Sequence, residues 1–113
     1  MSAPGPGRLG AVAVAMVTPF DDAGRLDLDG AATLARWLVD RGNDALIVSG
    51  TTGESPALTD GEKADLWAAV ADAVDVPVVA GATTADTAHS LHLTRAAVAA
   101  GAAGILAVTP YYN

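Results

Sequence analysis

Residues 48–55, read as Val-Ser-Gly-Thr-Thr-Gly-Glu-Ser, gather hydroxyls and small residues in one short turn. Gly50 and Gly53 let the backbone turn tightly and present N–H groups, while Thr51, Thr52 and Ser55 add hydroxyl donors. A turn of this kind can hold a small anion, above all a carboxylate, without a cationic side chain. The same residues also suit an ordinary turn between a strand and a helix cap. A Walker phosphate loop needs Lys followed by Ser or Thr after its second glycine, and neither is there. Glu54 reads as structural, because a carboxylate beside a bound carboxylate repels it. His89 and His92 stand three apart in a helical stretch, but no third ligand is nearby, so they read as surface histidines and no metal is expected. Asp21 and Asp22 read as solvated loop residues. Tyr111 and Tyr112 follow an apolar run, where by composition alone tyrosines pack more often than they catalyse.

Lys63 is the sole lysine of the chain. Beside Glu62 and Asp65 at the start of a helical stretch, its ammonium is expected to be solvated and charged. That disfavours it as a nucleophile, which must be neutral to attack a carbonyl.

These residues need elements to hold them. Four apolar runs, at 11–17, 45–48, 76–80 and 104–108, lack polar alternation and suit strands of a parallel sheet buried on both faces. Three helical stretches lie between them. The first is expected over about 30–41, capped by Asp29, with Leu34, Trp37 and Leu38 facing inward and Gly42 ending it. The second opens on Thr59-Asp60-Gly61-Glu62, a capping box, and carries Leu66, Trp67, Val70 and Val74 as its apolar stripe. The third, about 87–100, follows Asp86 and stops at Gly101, which suits a left-handed cap. The order β-α-β-α-β-α-β fits either half of an eight-stranded barrel or one side of an open doubly wound sheet. Residues 1–10 are expected to form a flexible arm and 11–113 a partial α/β domain. The last strand has no helix after it, so the chain reads as truncated, with exposed sheet edges.

The chain has 113 residues, 51% of them apolar, which supports a core and argues against disorder. Net charge is −7 with six basic residues, which argues against nucleic acid or an anionic membrane as partner. The absence of cysteine fits a reducing compartment. The apolar run at 11–17 is short for a secretory signal and leads into Thr-Pro-Phe instead of a cleavage site. No run reaches the ~20 apolar residues that span a bilayer. A cytoplasmic location is expected.

In parallel α/β folds the functional loops leave the C-terminal ends of the strands. Here "AMVTPF" at 15–20, "GTTGES" at 50–55, "AG" at 80–81 and "TPYYN" at 109–113 stand there in matching order and spacing. Together they resemble the N-terminal part of the dihydrodipicolinate synthase family, pyruvate-dependent class I aldolases that work through a Schiff base. The turn and the Asp-Thr-Ala-His-Ser at 86–90 are most similar to actinobacterial forms. The resemblance implies a (β/α)8 TIM barrel, of which this chain supplies strands one to four and helices one to three. It implies that Thr52, by hydroxyl and backbone N–H, and the Thr51 backbone hold the carboxylate of pyruvate. The Thr51 hydroxyl would join a Tyr–Thr–Tyr proton relay with Tyr112, which reaches across a tight dimer interface where Tyr111 packs. The implied reaction joins pyruvate to L-aspartate 4-semialdehyde in lysine and diaminopimelate biosynthesis, in a homotetramer built as a dimer of dimers. No cofactor is implied beyond the covalent imine.

The imine lysine belongs to strand six of that family, and the second relay tyrosine and a carboxylate-binding arginine also come later. All three lie outside these 113 residues, so the chain alone is expected to be inactive. Thr83 stands where the family commonly has glycine. Ala85 and His89 stand at positions used for lysine feedback in inhibited members, which argues against that inhibition here. Two alternatives remain: an N-acetylneuraminate or 2-keto-3-deoxy sugar-acid aldolase of the same family, and a truncated, non-enzymatic paralogue acting by association.

Overall fold

A computed structural model describes residues 9–110. The first eight residues of the expected arm, and Tyr111 and Tyr112, lie outside the described residues. Four strands, β1 (Ala13–Ala15), β2 (Ala45–Val48), β3 (Val78–Gly81) and β4 (Gly104–Leu106), alternate with α1 (Leu28–Asp40), α2 (Asp60–Ala73) and α3 (Thr87–Ala99). A 3-10 turn at Ser55–Ala57 precedes α2. All strand pairs are parallel and the order in space is the order in sequence, β1-β2-β3-β4. Ala15, Ile47, Val79 and Gly104 share one row across the sheet.

Alternation along the strands divides the sheet into two faces. Val14, Leu46, Val48, Val78, Ala80 and Ile105 join the core with Ala31 and Ala35 of α1, Leu66, Trp67 and Val70 of α2, and Leu93 and Ala97 of α3. Helix α2 packs between α1 and α3. The expectation of strands buried on both faces holds for β3, which is buried throughout, and largely for β2. It fails for β1 and β4. Ala13 and Ala15 are exposed, and so is Leu106, because these strands lie at the sheet edges and, among the described residues, no helix covers the second face.

The helix ends follow from local chemistry. At α2 the capping box forms: Thr59 Oγ1 accepts the Glu62 N–H at 3.1 Å, and Glu62 Oε1 accepts the Thr59 N–H at 2.9 Å. Asp86 caps α3 by accepting the His89 N–H at 3.0 Å, and Gly101 leaves that helix with φ +105°. Helix α1 departs from expectation at its start. Asp27, not Asp29, is the cap, its Oδ1 accepting the Gly30 N–H at 2.9 Å. Asp29 lies in the first turn instead, where its charge faces the positive end of the helix dipole. Trp37 also departs. It is 52% exposed, with the Arg41 guanidinium 5.0 Å above its ring, while the small Ala31 and Ala35 take the close contact.

Candidate active site

The C-terminal ends of β2, β3 and β4 surround a cavity of about 170 Å³. Its polar wall comes from Ser49, Thr51, Ser55, Lys63, Thr83 and Thr84, and its apolar wall includes Pro56, Leu106 and Val108.

The turn after β2 is held in an uncommon shape. Ser49 and Glu54, at either end, both have positive φ, 57° and 58°. Such backbone is costly for a residue with a side chain and persists where its surroundings enforce it. Three contacts do so. Trp67 Nε1 donates to Ser49 Oγ at 2.8 Å, and Ser49 Oγ donates to the Gly81 carbonyl at 3.1 Å, all in the buried interior. Thr18, from the loop after β1, donates its hydroxyl to the Gly53 carbonyl at 2.6 Å. Gly81 completes the clamp by having no side chain, since a Cβ there would lie 2.3 Å from the Ser49 carbonyl oxygen.

This clamp leaves donors free. Among the described residues, the backbone N–H groups of Gly50, Thr51, Thr52 and Gly53 have no protein acceptor, and the Thr51 and Ser55 hydroxyls have no protein partner. Unpaired donors converging at a strand end suit an incoming carboxylate. Thr51 lines the cavity, whereas Thr52 sits on the exposed crest of the turn and is not part of the lining. Glu54 is exposed and makes no capping bond.

Three residues differ in setting from expectation. Lys63 is not solvated: it is 5% exposed and lines the cavity. The reason is its place on α2, where it stands at i, i+3, i+4 and i+7 with Leu66, Trp67 and Val70 on the buried face. That spacing was readable, but the charge pointed to solvent. His89 is not a free surface histidine, because its Nε2 contacts the Asp60 carboxylate at 2.8 and 2.9 Å and so joins the starts of α2 and α3. Among the described residues no three His, Cys, Asp or Glu side chains cluster as a metal site would require. Thr83 accepts the Val108 N–H on its hydroxyl at 2.8 Å and ties the loop after β3 to the loop after β4. Asp21, expected to be merely solvated, accepts the N–H groups of Ala23 and Arg25, each at 2.9 Å, and shapes the loop after β1.

A parallel βα repeat with its hydroxyl-rich turn at the strand ends is the architecture of one part of a (β/α) barrel. Residues 8–113 match the Dihydrodipicolinate synthetase family, and the chain belongs to it. It is 58% identical over 110 residues to 4-hydroxy-tetrahydrodipicolinate synthase of Acidothermus cellulolyticus, covering 96% of this chain and 36% of that protein. Relatives at 53–60% identity are mostly actinobacterial, as the turn and the 86–90 segment suggest. Among solved structures, a dihydrodipicolinate synthase from Bacillus anthracis superposes with TM-score 0.90 at 44% identity, over 94% of this chain and 37% of that one. N-acetylneuraminate lyase from Mycoplasma synoviae superposes with TM-score 0.80 at 30% identity, over 88% and 35%. The chain thus spans little more than a third of these proteins, and its architecture is that of the N-terminal half of a TIM barrel.

Proposed function

We propose that these residues form the carboxylate-holding part of an enzyme that condenses pyruvate with L-aspartate 4-semialdehyde to give 4-hydroxy-tetrahydrodipicolinate. The observation that carries this is the β2 turn, whose backbone and hydroxyl donors have no protein acceptor among the described residues and whose Thr51 and Ser55 border a cavity of about 170 Å³. Family membership and the printed activity of the relatives support the substrate pair.

A lysine amine adds to the pyruvate ketone and releases water, forming an imine. Loss of a methyl proton gives an enamine, whose carbon attacks the aldehyde, and the resulting alkoxide takes up a proton. The amino group of the semialdehyde portion then adds to the imine carbon and expels the lysine amine, which closes the six-membered ring and frees the lysine. The imine serves as the electron sink, so no further cofactor is needed. Thr51, which lines the cavity, fixes the carboxylate, while Thr52, expected to share that role, stands on the exposed crest of the turn outside the lining; the Thr51 hydroxyl passes protons with Tyr112. Such a hydroxyl chain suits a path with several proton movements and no strong base. Tyr111 and Tyr112 act at the subunit interface of a dimer of dimers. The imine lysine is a residue outside these 113, because Lys63 rises from the inner face of a helix and not from a strand end.

The test is borohydride reduction with pyruvate on the protein as its source makes it, followed by peptide mapping. A reduced adduct on a lysine outside residues 1–113 is the expected result. An adduct on Lys63 would overturn the assignment of the nucleophile, and none at all would remove the aldolase reaction. Activity with N-acetylmannosamine and not with aspartate semialdehyde would favour the sugar-acid aldolase, whose family shares this fold.

A further inference from the structure

Trp67 is the largest side chain fully buried in the core, yet its ring carries a polar group. An indole N–H can only donate, and a buried one needs an acceptor. The acceptor is the hydroxyl of Ser49, the first residue after β2 and itself only 1% exposed. Because the indole takes the accepting side of that hydroxyl, its proton is left for the Gly81 carbonyl. The hydrogen-bond chain therefore runs one way, from Trp67 through Ser49 to Gly81. Packing alone does not call for it. Phenylalanine at 67 beside a residue without a hydroxyl at 49 would fill the same core with no polar atom to satisfy. A fully paired buried network instead specifies one arrangement.

What it specifies is the start of the turn. Ser49 holds φ 57°, and the bare Cα of Gly81 lets the Ser49 carbonyl and the Gly50 nitrogen approach where a Cβ would stand. The peptide joining Ser49 to Gly50 thus lies against Gly81, while the Ser49 side chain is tied to the same residue. The N–H of that peptide, on Gly50, is the first of the backbone donors left free. Thr18 holds the far end at the Gly53 carbonyl. The donors between are strung from two fixed ends, and the Ser49 end is anchored in the apolar core by Trp67.

We propose that Trp67 and Ser49 are positioning residues for the keto acid: the buried chain from the Trp67 indole through the Ser49 hydroxyl to the Gly81 carbonyl aims the Gly50 and Thr51 donors at the carboxylate. This rests on reading the turn as the carboxylate holder, and it deepens that reading by naming what directs it. Trp67 is 0% exposed, so it touches no ligand and acts through Ser49. The carboxylate is held alike before and during the reaction, so the chain governs affinity and not turnover.

The experiment compares the protein as its source makes it with Trp67→Phe, Ser49→Gly and the variant carrying both, each shown native by circular dichroism. Trp67→Phe keeps an aromatic ring and removes the N–H, and Ser49→Gly removes the hydroxyl with a residue that accepts positive φ. Val70→Ala, in the same buried face of α2 but without a bond to the turn, controls for lost stability. Carbon-13 acetate, titrated at constant ionic strength and followed by line width, reads carboxylate holding directly. Steady-state kinetics gives KM and kcat for pyruvate. Each single variant of the chain should weaken acetate binding and raise the pyruvate KM about fivefold, the scale of one net hydrogen bond, with kcat within about twofold of the parent. The double variant should bind no worse than either single one, because one break already interrupts the chain. Val70→Ala should unfold at lower urea yet keep the parental affinity and KM.

Parental acetate affinity in Trp67→Phe and Ser49→Gly overturns the assignment. So does a loss in Val70→Ala as large as in Trp67→Phe, which would reduce the chain to general stability. Losses that multiply in the double variant also overturn it, since the two residues would then act separately. A fall in kcat at unchanged KM would place their effect on the chemistry and not on binding. Borohydride trapping is a separate arm: no adduct in the parent removes the condensation, and acetate binding alone then decides the chain. Absence of saturable acetate broadening in the parent removes both the carboxylate-holding turn and the residues said to aim it.

Discussion

At the scale of single residues, the site is shaped by what is missing as much as by what is present. Gly81 has no side chain where one would meet the Ser49 carbonyl oxygen at 2.3 Å and the Gly50 nitrogen at 2.9 Å. Both neighbours are backbone, so they cannot swing aside. Gly81→Ala is expected to push the ends of β2 and β3 apart and to cost about 1–3 kcal/mol, the usual range for overpacking. Urea unfolding of the protein and this variant measures it, and a change below about 0.5 kcal/mol would show that the turn yields freely. The displaced turn should also bind acetate more weakly, because its donors are aimed by the same clamp. Much of this was legible beforehand. The glycines and hydroxyls at 50–55 marked the turn, and parallel topology put it at a strand end. The status of Lys63 was not, because its charge was weighed before its helical position. Its spacing with Leu66, Trp67 and Val70 carried the correct answer. Ser49 was equally silent: nothing in its type announces a positive φ or the bond from Trp67.

Elements were read best where their ends carry specific hydrogen-bond chemistry. The Thr59–Glu62 box, the Asp86 cap and the glycines at 42 and 101 all stand where local rules place them. The start of α1 offered two aspartates two residues apart, and local rules alone did not separate them. Asp27 has extended backbone, φ −101° and ψ 92°, and its carboxylate reaches the N–H three residues on. Asp29 already lies within the helix. Asp27→Ala should therefore cost about 1 kcal/mol, the usual value for a lost cap. Asp29→Ala should cost less than about half of that, as a first-turn charge interacting with the dipole. Paired thermal or urea unfolding of the two variants decides it; equal losses would mean that the cap is shared. On the inward face of α1, Leu34 and Leu38 pack against the core as expected, and Trp37 was misjudged for a different reason. Large apolar residues suggested the contact surface, yet a helix lying close to its neighbour needs small ones. Ala31 and Ala35 are fully buried, and Trp37 covers the outer rim with Arg41.

The whole molecule is a slab, 41 × 36 × 23 Å, with helices on one face of a parallel sheet. Its radius of gyration, 13.3 Å, matches the ~13 Å of a compact domain of this length, so openness lies in the surface and not in the packing. Parallel sheets occur almost only with both faces covered. Here Val12, Val17, Leu106 and Val108 are 40–54% exposed, at the margins of β1 and β4. Those two strands are also the sheet edges, each with an unpaired ladder of backbone donors and acceptors. Apolar side chains and unpaired backbone along the same margins favour association by strand addition, because pairing satisfies both at once. The core that would resist rearrangement, around Leu46, Trp67 and Leu93, lies on the helical side and does not shield these edges. The 113-residue chain on its own should therefore sediment as a concentration-dependent mixture with species larger than the monomer. Charged substitution at both margins, Val12→Lys with Leu106→Lys, should shift it toward monomer without loss of helix signal. A sharp monomer boundary that does not move with concentration would show that the sheet margins are satisfied within the chain, and would remove the physical case for a partner at β1 and β4.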